Sequence, residues 1–230
     1  MIDLSLIWIA IIALGVLMYV VLDGFDLGIG ILFPFFKDQH ERDVMMNTVA
    51  PVWDGNETWM VLGGAGLFAA FPLVYSTVLS ALYMPIILMV ISLIFRGVAF
   101  EFRFKAHRGR HWWDIAFIGG SLLTSFLQGV ILGAYIQGIK TTNGIYSGGG
   151  LDWLTPFSLF TGVGVVILYA TLGCGWLIFK TDHELQDKMF QLMPKLIIVL
   201  LLVFGAVSLY TPLAHQQIAE RWFSQPQIFY

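Results

Sequence analysis

Six ionisable residues stand where the chain is otherwise apolar. Asp23 and Asp26 interrupt Asp23-Gly24-Phe25-Asp26-Leu27-Gly28-Ile29-Gly30. Asp54 and Glu57 lie in Trp53-Asp54-Gly55-Asn56-Glu57-Thr58-Trp59, and Arg96 and Glu101 in Phe95-Arg96-Gly97-Val98-Ala99-Phe100-Glu101. A charge within a membrane span costs several kcal/mol, so it tends to face protein or water and to serve function. Asp23 and Asp26 are three residues apart, as are Asp54 and Glu57, which puts each pair on one helix face. Closely spaced buried acids raise one another's affinity for protons, which makes exchange near neutral pH possible. A water-filled file of carboxylates that conducts protons is therefore one reading. Two plainer readings stand beside it: solvation in the headgroup region, chiefly for Glu101, and structural pairing of Asp23 and Asp26 with Arg96. Asp54, flanked by Trp53 and Trp59, fits the headgroup reading least.

The elements that must carry these residues follow from composition. The chain has 230 residues, of which 12 are basic and 15 acidic. Charged residues are 12% of the total, about half the usual share for a soluble domain. Hydrophobic residues make up 58%, and the mean hydropathy is +0.80. Too few charges remain to cover a soluble globule, which excludes a soluble enzyme, a nucleic-acid binder and a disordered chain. The charges are also clumped. None occurs in 4–22, 58–95, 115–139, 153–179 or 196–219. Each run approaches or exceeds the ~20 residues of a spanning helix. None alternates with the period of two that barrel strands need, so helices are expected.

The 38-residue run from Thr58 to Phe95 could hold one span or two. A break near Phe71-Pro72-Leu73 gives spans of roughly 4–36, 46–70, 73–104, 113–139, 154–180 and 192–213, since Pro suits a helix start. One side then holds nine basic residues: Lys37, Arg42, Arg103, Lys105, Arg108, Arg110, Lys180, Lys188 and Lys195. The other has Lys140 and Arg221, with Arg96 inside a span. A single span would divide them seven to four. The positive-inside rule favours the first arrangement. The expectation is an all-α polytopic membrane protein, a bundle of six spans with its N-terminus periplasmic. The first helix has no preceding basic region and outruns a signal peptide, so it reads as an uncleaved span. Asp23 then lies about 28 Å along helix 1, toward the cytoplasm, and Asp54 about 12 Å into helix 2.

Other residues add less. Gly129 and Gly133, Gly24 and Gly28, and Gly66 and Ala70 have the small-residue spacing that lets helices pack closely. Tyr146-Ser147-Gly148-Gly149-Gly150 reads as a flexible loop, with no following Lys-Ser or Lys-Thr to suggest phosphate binding. Cys174, alone in an apolar run, reads as a small buried side chain. The histidines His40, His107, His111, His183 and His215 fall in loops or at helix ends, so no haem or metal bound by this chain is expected. His107 and His111 have i, i+4 spacing in a basic loop, a weak metal signal. Met18, Met60, Met84 and Met89 read as packing.

The ordered motifs carry a resemblance. Asp23 to Gly30, Ala50-Pro51-Val52-Trp53-Asp54-Gly55-Asn56-Glu57-Thr58-Trp59, Gly66-Leu67-Phe68-Ala69-Ala70-Phe71-Pro72, Phe95 to Glu101, and Asp152-Trp153-Leu154-Thr155-Pro156-Phe157 together resemble subunit II of the cytochrome bd-type quinol oxidases. The wording is closest to the cyanide-insensitive branch. The resemblance implies a non-haem subunit of a ubiquinol or menaquinol oxidase that reduces dioxygen to water, not catalytic alone. It implies a haem-bearing partner, subunit I, with two b-type haems and one d-type haem. A small single-helix subunit, lipids and quinone are further partners it allows; nucleic acid is not. The implied location is the bacterial cytoplasmic (inner) membrane. The implied proton route involves Asp54, with Glu101, Asp26 and Arg96 near it. Trp53 would lie near the subunit interface. Glu101 departs from the Asp often found there. Family members are also longer, built from two four-helix bundles plus an extra helix. Residues 1–140 would form the first bundle, 141–152 a periplasmic Gly-rich loop, and 153–230 part of a second, incomplete bundle.

Two other classes fit the acids. A stand-alone ion-coupled transporter would use intramembrane carboxylates and Gly-interrupted helices, although no internal repeat is evident. A purely structural scaffold would use the acids only to pair with Arg96.

Overall fold

The computed structural model describes residues 3–106, 108–214 and 216–223. Its regular structure is helical apart from one small hairpin. The helices are α1 (Leu4–Leu32), α2 (Gln39–Val49), α3 (Trp53–Ala70), α4 (Pro72–Arg103), α5 (Arg110–Gln137), α6 (Pro156–Lys180), α7 (His183–Ala214) and α8 (Gln216–Phe223). A 3-10 turn, Phe33–Phe35, follows α1.

Local chemistry sets the boundaries. Asp3 caps α1 by accepting from the Ser5 N–H at 2.9 Å. α4 opens on Pro72, after Phe71 leaves the helical region. The break expected near Pro72 therefore forms. Thr155 and Ser158 close a reciprocal capping box at the start of α6, with Pro156 at its first turn. Pro85 lies inside α4, and Leu82, three residues earlier, departs from helical geometry. A proline ring clashes with the carbonyl four residues back, so the kink falls there.

The expected second span, residues 46–70, is corrected. Pro51 sits in a turn that ends the amphipathic α2 and lets α3 begin only at Trp53. Asp54 is thus the second residue of α3, not about 12 Å inside it. Among the described residues, five helices are long and apolar enough to cross a membrane: 4–35, 72–103, 110–137, 156–180 and 183–214. α3, with 18 residues and two acids in its first turns, falls outside that set.

The six longer helices alternate in direction. Across α1 and α3, Asp26 meets Asn56, while Gly66 packs on Ile12. Across α3 and α4, Gly97 packs on Trp53. Gly120 meets Ser92 across α4 and α5, Gly133 meets Ser158 across α5 and α6, and Phe157 stacks on Tyr210 across α6 and α7. One end of the bundle therefore gathers 33–52, 104–106, 108–109 and 181–182. The other gathers 71 and 138–155.

At that second end the loop carries a small hairpin. Thr141–Thr142 (β1) pairs antiparallel with Ile145–Tyr146 (β2) around Asn143 and Gly144, both with positive φ. Asn-Gly is the pair that such a two-residue turn requires. The Tyr146 hydroxyl then donates to the Gly149 carbonyl at 2.6 Å, and Lys140 pairs with Asp152 at 3.1 Å.

The core lies where α1, α2, α4, α5 and α6 meet, around Leu27, Ile29, Phe33, Met45, Met46, Phe117, Tyr169 and Leu177. Small residues bring its backbones together. A Cβ on Gly129 would lie 2.6 Å from the Gly162 Cα, and one on Gly28 would overlap the Tyr169 carbonyl. Gly64 has open space around it. Gly129→Ala is therefore expected to cost about 1–3 kcal/mol, seen as a lower Tm in detergent, while Gly64→Ala leaves Tm unchanged or raised.

Candidate functional site

α4 carries Arg96 into the bundle, where its side chain is fully buried. Three carboxylates from two other helices surround it. Asp23 of α1 lies 3.0 Å from Nη1, Asp26 of α1 lies 3.8 Å from Nη2, and Glu57 of α3 lies 2.5 Å from Nη1. Asn56 donates to Asp26 Oδ2 at 2.8 Å. The Phe100 ring caps the guanidinium, 5.6 Å from its centre, and stacks in turn on Trp53 at 4.9 Å.

Helical spacing explains the assembly. Asp23 and Asp26 project to the same side of α1, toward α4. Glu57 sits one turn along α3 from its start, opposite Asp26 because the two helices are antiparallel. Gly120 lets α5 approach Arg96, since a Cβ there would lie 3.0 Å from the Arg96 Cβ.

Several buried atoms of the cluster make no hydrogen bond within the protein. They are both Asp23 oxygens, Asp26 Oδ1, Arg96 Nε and Nη2, Ser121 Oγ and Thr124 Oγ1. Asp23 thus meets Arg96 as an ion pair without an aligned hydrogen bond. Buried polar groups of this kind are usually satisfied by ordered water. Three acids sharing one guanidinium in an apolar bundle make a site suited to taking up and releasing protons. Glu57 alone of the three reaches the surface, with 21% of its side chain exposed.

The other candidates lie apart. Asp54 is exposed in the first turn of α3. Glu101 is also exposed and pairs with Lys105 at 3.0 Å on its own helix. The two flank the Trp53–Phe100 stack on the outside of the bundle. Trp59 is half-buried, its carbonyl 3.6 Å from the Cβ position of Gly15 on α1. The structure thus gathers Asp23, Asp26, Glu57 and Arg96, and leaves Asp54 and Glu101 on the surface. His107 and His215 lie outside the described residues, so the His107–His111 pairing does too.

Sequence reasoning passed over a second charged cluster at the α2 end. Arg103 is fully buried and pairs with Asp114 and, at 2.6 Å, with Asp43. Arg110 also pairs with Asp43, and Arg42 with Asp114 at 3.0 Å. The guanidiniums of Arg42 and Arg103 both lie 5.2 Å from the Phe33 ring. This cluster ties α2 to α4 and α5. The available signal was Asp114 beside three arginines at the rim of an apolar run, which reads equally as a solvated loop.

Burial raises the Asp43 carboxyl's proton affinity, but hydrogen bonds from Arg110 and Arg103 outweigh it and hold the group below its ordinary range. Such a group stabilises the fold at any pH above its unfolded value, about 3.9, and loses that contribution as pH falls through its lower folded value. The Tm advantage of wild type over Asp43→Asn in detergent is expected to be constant from neutrality to about pH 5 and to shrink below about pH 4. Arg96→Leu leaves three buried carboxylates without a cation. It is expected to cost on the order of 3–5 kcal/mol, with part of the loss in thermal stability recovered by adding Glu57→Gln.

Known proteins resemble the chain in sequence and in fold. The family model described as "Cytochrome bd terminal oxidase subunit II" matches residues 4–228. The Escherichia coli K12 protein "Cytochrome bd-I ubiquinol oxidase subunit 2" is 36% identical over 191 residues, covering 80% of this chain and 50% of that protein. A Haemophilus influenzae "Probable cytochrome oxidase subunit 2" is 34% identical over 193 residues, covering 80% and 51%. A Bacillus subtilis "Cytochrome bd ubiquinol oxidase subunit 2" is 35% identical over 217 residues, covering 90% and 63%. The chain spans about half the length of the first two. Among solved structures, the bd oxidase from Geobacillus thermodenitrificans matches in fold with a TM-score of 0.75 at 18% identity, covering 92% of this chain and 65% of that one.

Proposed function

The chain belongs to the cytochrome bd terminal oxidase subunit II family, and on that premise we propose that it serves as the non-haem subunit of a respiratory quinol:oxygen oxidoreductase. In this reading it stabilises a haem-bearing subunit I and helps bring protons from the cytoplasm to the site of dioxygen reduction. It acts in a bacterial inner membrane with six passes and its N-terminus periplasmic. The helices of 1–140 form one bundle, and those beyond the 141–152 loop begin another. The stand-alone transporter has no support from the family.

Among the described residues, the histidines do not fit a haem held by this chain. An axial ligand must stand at depth, whereas His40 lies in α2, His111 is the second residue of α5 and His183 the first of α7. In this reading the two b-type haems and one d-type haem are held by subunit I.

What this chain supplies is a place for protons. The observation that carries the reading is the Arg96 cluster, whose one partly exposed acid, Glu57, stands a single turn from Asp54. Asp54 at the start of α3 receives a proton from water at the cytoplasmic end. Glu57 passes it to Asp26 and Asp23, and the Arg96 charge keeps the emptied carboxylates soluble in the apolar bundle. Glu101, paired with Lys105, lies at the margin of this route. The half-buried Trp53, backed by the buried Phe100, offers an aromatic surface for subunit I to cover, which would enclose Asp54. The quinol, lipids and any small single-helix subunit contact other surfaces of the complex.

Asp54→Asn in the assembled oxidase tests this. Turnover with quinol is expected to fall by roughly 10- to 100-fold while haem content stays full. Unchanged turnover at full haem content would remove Asp54 from the route.

A further inference from the structure

Away from the acid cluster, a cavity of about 200 Å³ opens at the hairpin end of the bundle, between α4, the end of α5 and the loop that leads into α6. Arg96 lies 14 residues farther along α4 than Leu82, about 21 Å away. Local sequence makes the space. Pro85 kinks α4 at Leu82, and the side chains of Ala81 and Ala134 are single methyl groups. Ala81, Leu82 and Ala134 are buried together and form the floor. Pro85 has no N–H, so the Ala81 carbonyl lacks its usual helical donor. Tyr146 and Trp153 pack against the floor as walls. Both rings are fixed from outside. The Tyr146 hydroxyl is spent on the Gly149 carbonyl, and the Trp153 indole N–H donates to the Gly150 carbonyl at 2.9 Å.

The rim is charged with both signs. Lys140 and Asp152 pair there at 3.1 Å, with 75% and 37% of their side chains exposed. Neither is saturated by the other. An ammonium has three donors, and a carboxylate accepts at about four positions. The hydrogen bond from Lys140 holds the Asp152 carboxyl below its ordinary range, so it is an anion at neutral pH. Deeper in, Gln137 Oε1 accepts from the Thr155 hydroxyl at 2.6 Å. An amide donates only at nitrogen, so the Gln137 NH2 is the end left for the cavity.

A ligand that satisfies this site carries an anion and a cation a few bonds apart and sits at the membrane surface. Trp and Tyr gather at that depth, where one part of a ring meets lipid and another meets water. Tyr83 and Leu154, next in sequence to Leu82 and Trp153, are exposed and offer an apolar path away from the mouth. We propose that the cavity binds the headgroup of phosphatidylethanolamine, with the phosphate on Lys140 and Gln137, the primary ammonium on Asp152, and the acyl chains outside the bundle. Charge complementarity selects this occupant. A purely anionic headgroup, or free phosphate, meets the Asp152 charge. A neutral ring such as a quinol engages neither charge. The orientation proposed above puts the lipid in the outer leaflet, but the binding does not depend on it.

The test uses the assembled oxidase, stripped of lipid in detergent and titrated with dihexanoyl phosphatidylethanolamine, with bound lipid counted by native mass spectrometry. Dihexanoyl phosphatidylglycerol, inorganic phosphate and a short-chain ubiquinone are the competing probes. The tightest site is expected to prefer phosphatidylethanolamine to phosphatidylglycerol by about tenfold. Lys140→Gln and Asp152→Asn each weaken that site by about tenfold. Asp152→Asn also erases the preference over phosphatidylglycerol. The pair is exposed, so Tm and haem content stay near wild type in both variants. Ala81→Leu fills the floor and removes the site while both charges remain. Unchanged phosphatidylethanolamine binding in both charge variants overturns the assignment. So does phosphatidylglycerol or phosphate binding as tightly as phosphatidylethanolamine in wild type, or displacement of the lipid by the quinone. If Ala81→Leu fails to assemble, the two charge variants decide alone. The Asp54→Asn result bears on the proton route and leaves this comparison intact.

Discussion

A guanidinium inside an apolar bundle must find anions, and anions beside it must find a guanidinium. Arg96 answers both demands at once. It draws Asp23 and Asp26 from α1 and Glu57 from α3 to a point on α4 where Phe100 caps its face. Removing one partner from such a group costs more than the group is worth as a whole, because what remains is a buried, unpaired charge. The relative register of α1, α3 and α4 is fixed by this condition. A one-residue slip of α1 would turn Asp23 and Asp26 by about 100° away from the arginine.

The glycines make that register reachable. Gly28 with Gly173, Gly129 with Gly162 and Gly120 with Arg96 bring α1, α4, α5 and α6 nearer than side chains would allow. In lipid there is no hydrophobic force between helices, so close packing and polar contacts carry the association. Close packing also excludes room for bulk water, which strengthens each electrostatic contact in the cluster and makes each unpaired atom more costly. The same tightness that supports Arg96 thus confines solvent access to the side of the cluster where Glu57 meets the surface.

Much of this was legible in the residues because charges are so scarce. In a chain with 12% charged residues, an acid within an apolar run is a signal, and Asp23, Asp26, Glu57 and Arg96 were found that way. Pro72 marked the turn between α3 and α4 because its ring suits a helix start. The Arg103 cluster was not legible, since charges at the rim of a span look the same whether solvated or buried. The hydrogen-bond string from Tyr169 through Gln128 to Tyr19, across α6, α5 and α1, was hidden for a related reason. Neutral polar side chains leave a run free of charge, although a glutamine in the middle of 115–139 is as exceptional there as an acid. The hairpin was missed at Asn143-Gly144, where attention fell on the glycines after it.

Asp54 shows how a small boundary error changes a chemical reading. Spacing placed it on one face with Glu57, well inside a helix. Pro51 delays the helix, so Asp54 stands in its first turn, where free backbone N–H groups and the helix dipole favour an anion. It needs no buried cation there, and Glu57, a turn deeper, has Arg96. The two acids therefore differ in what holds them: solvent and a helix terminus for one, a guanidinium for the other. Glu101 has neither depth nor a helix N-terminus, and Lys105 already neutralises it. Of the two exposed acids, Asp54 is the one from which a single helical turn leads to the buried cluster.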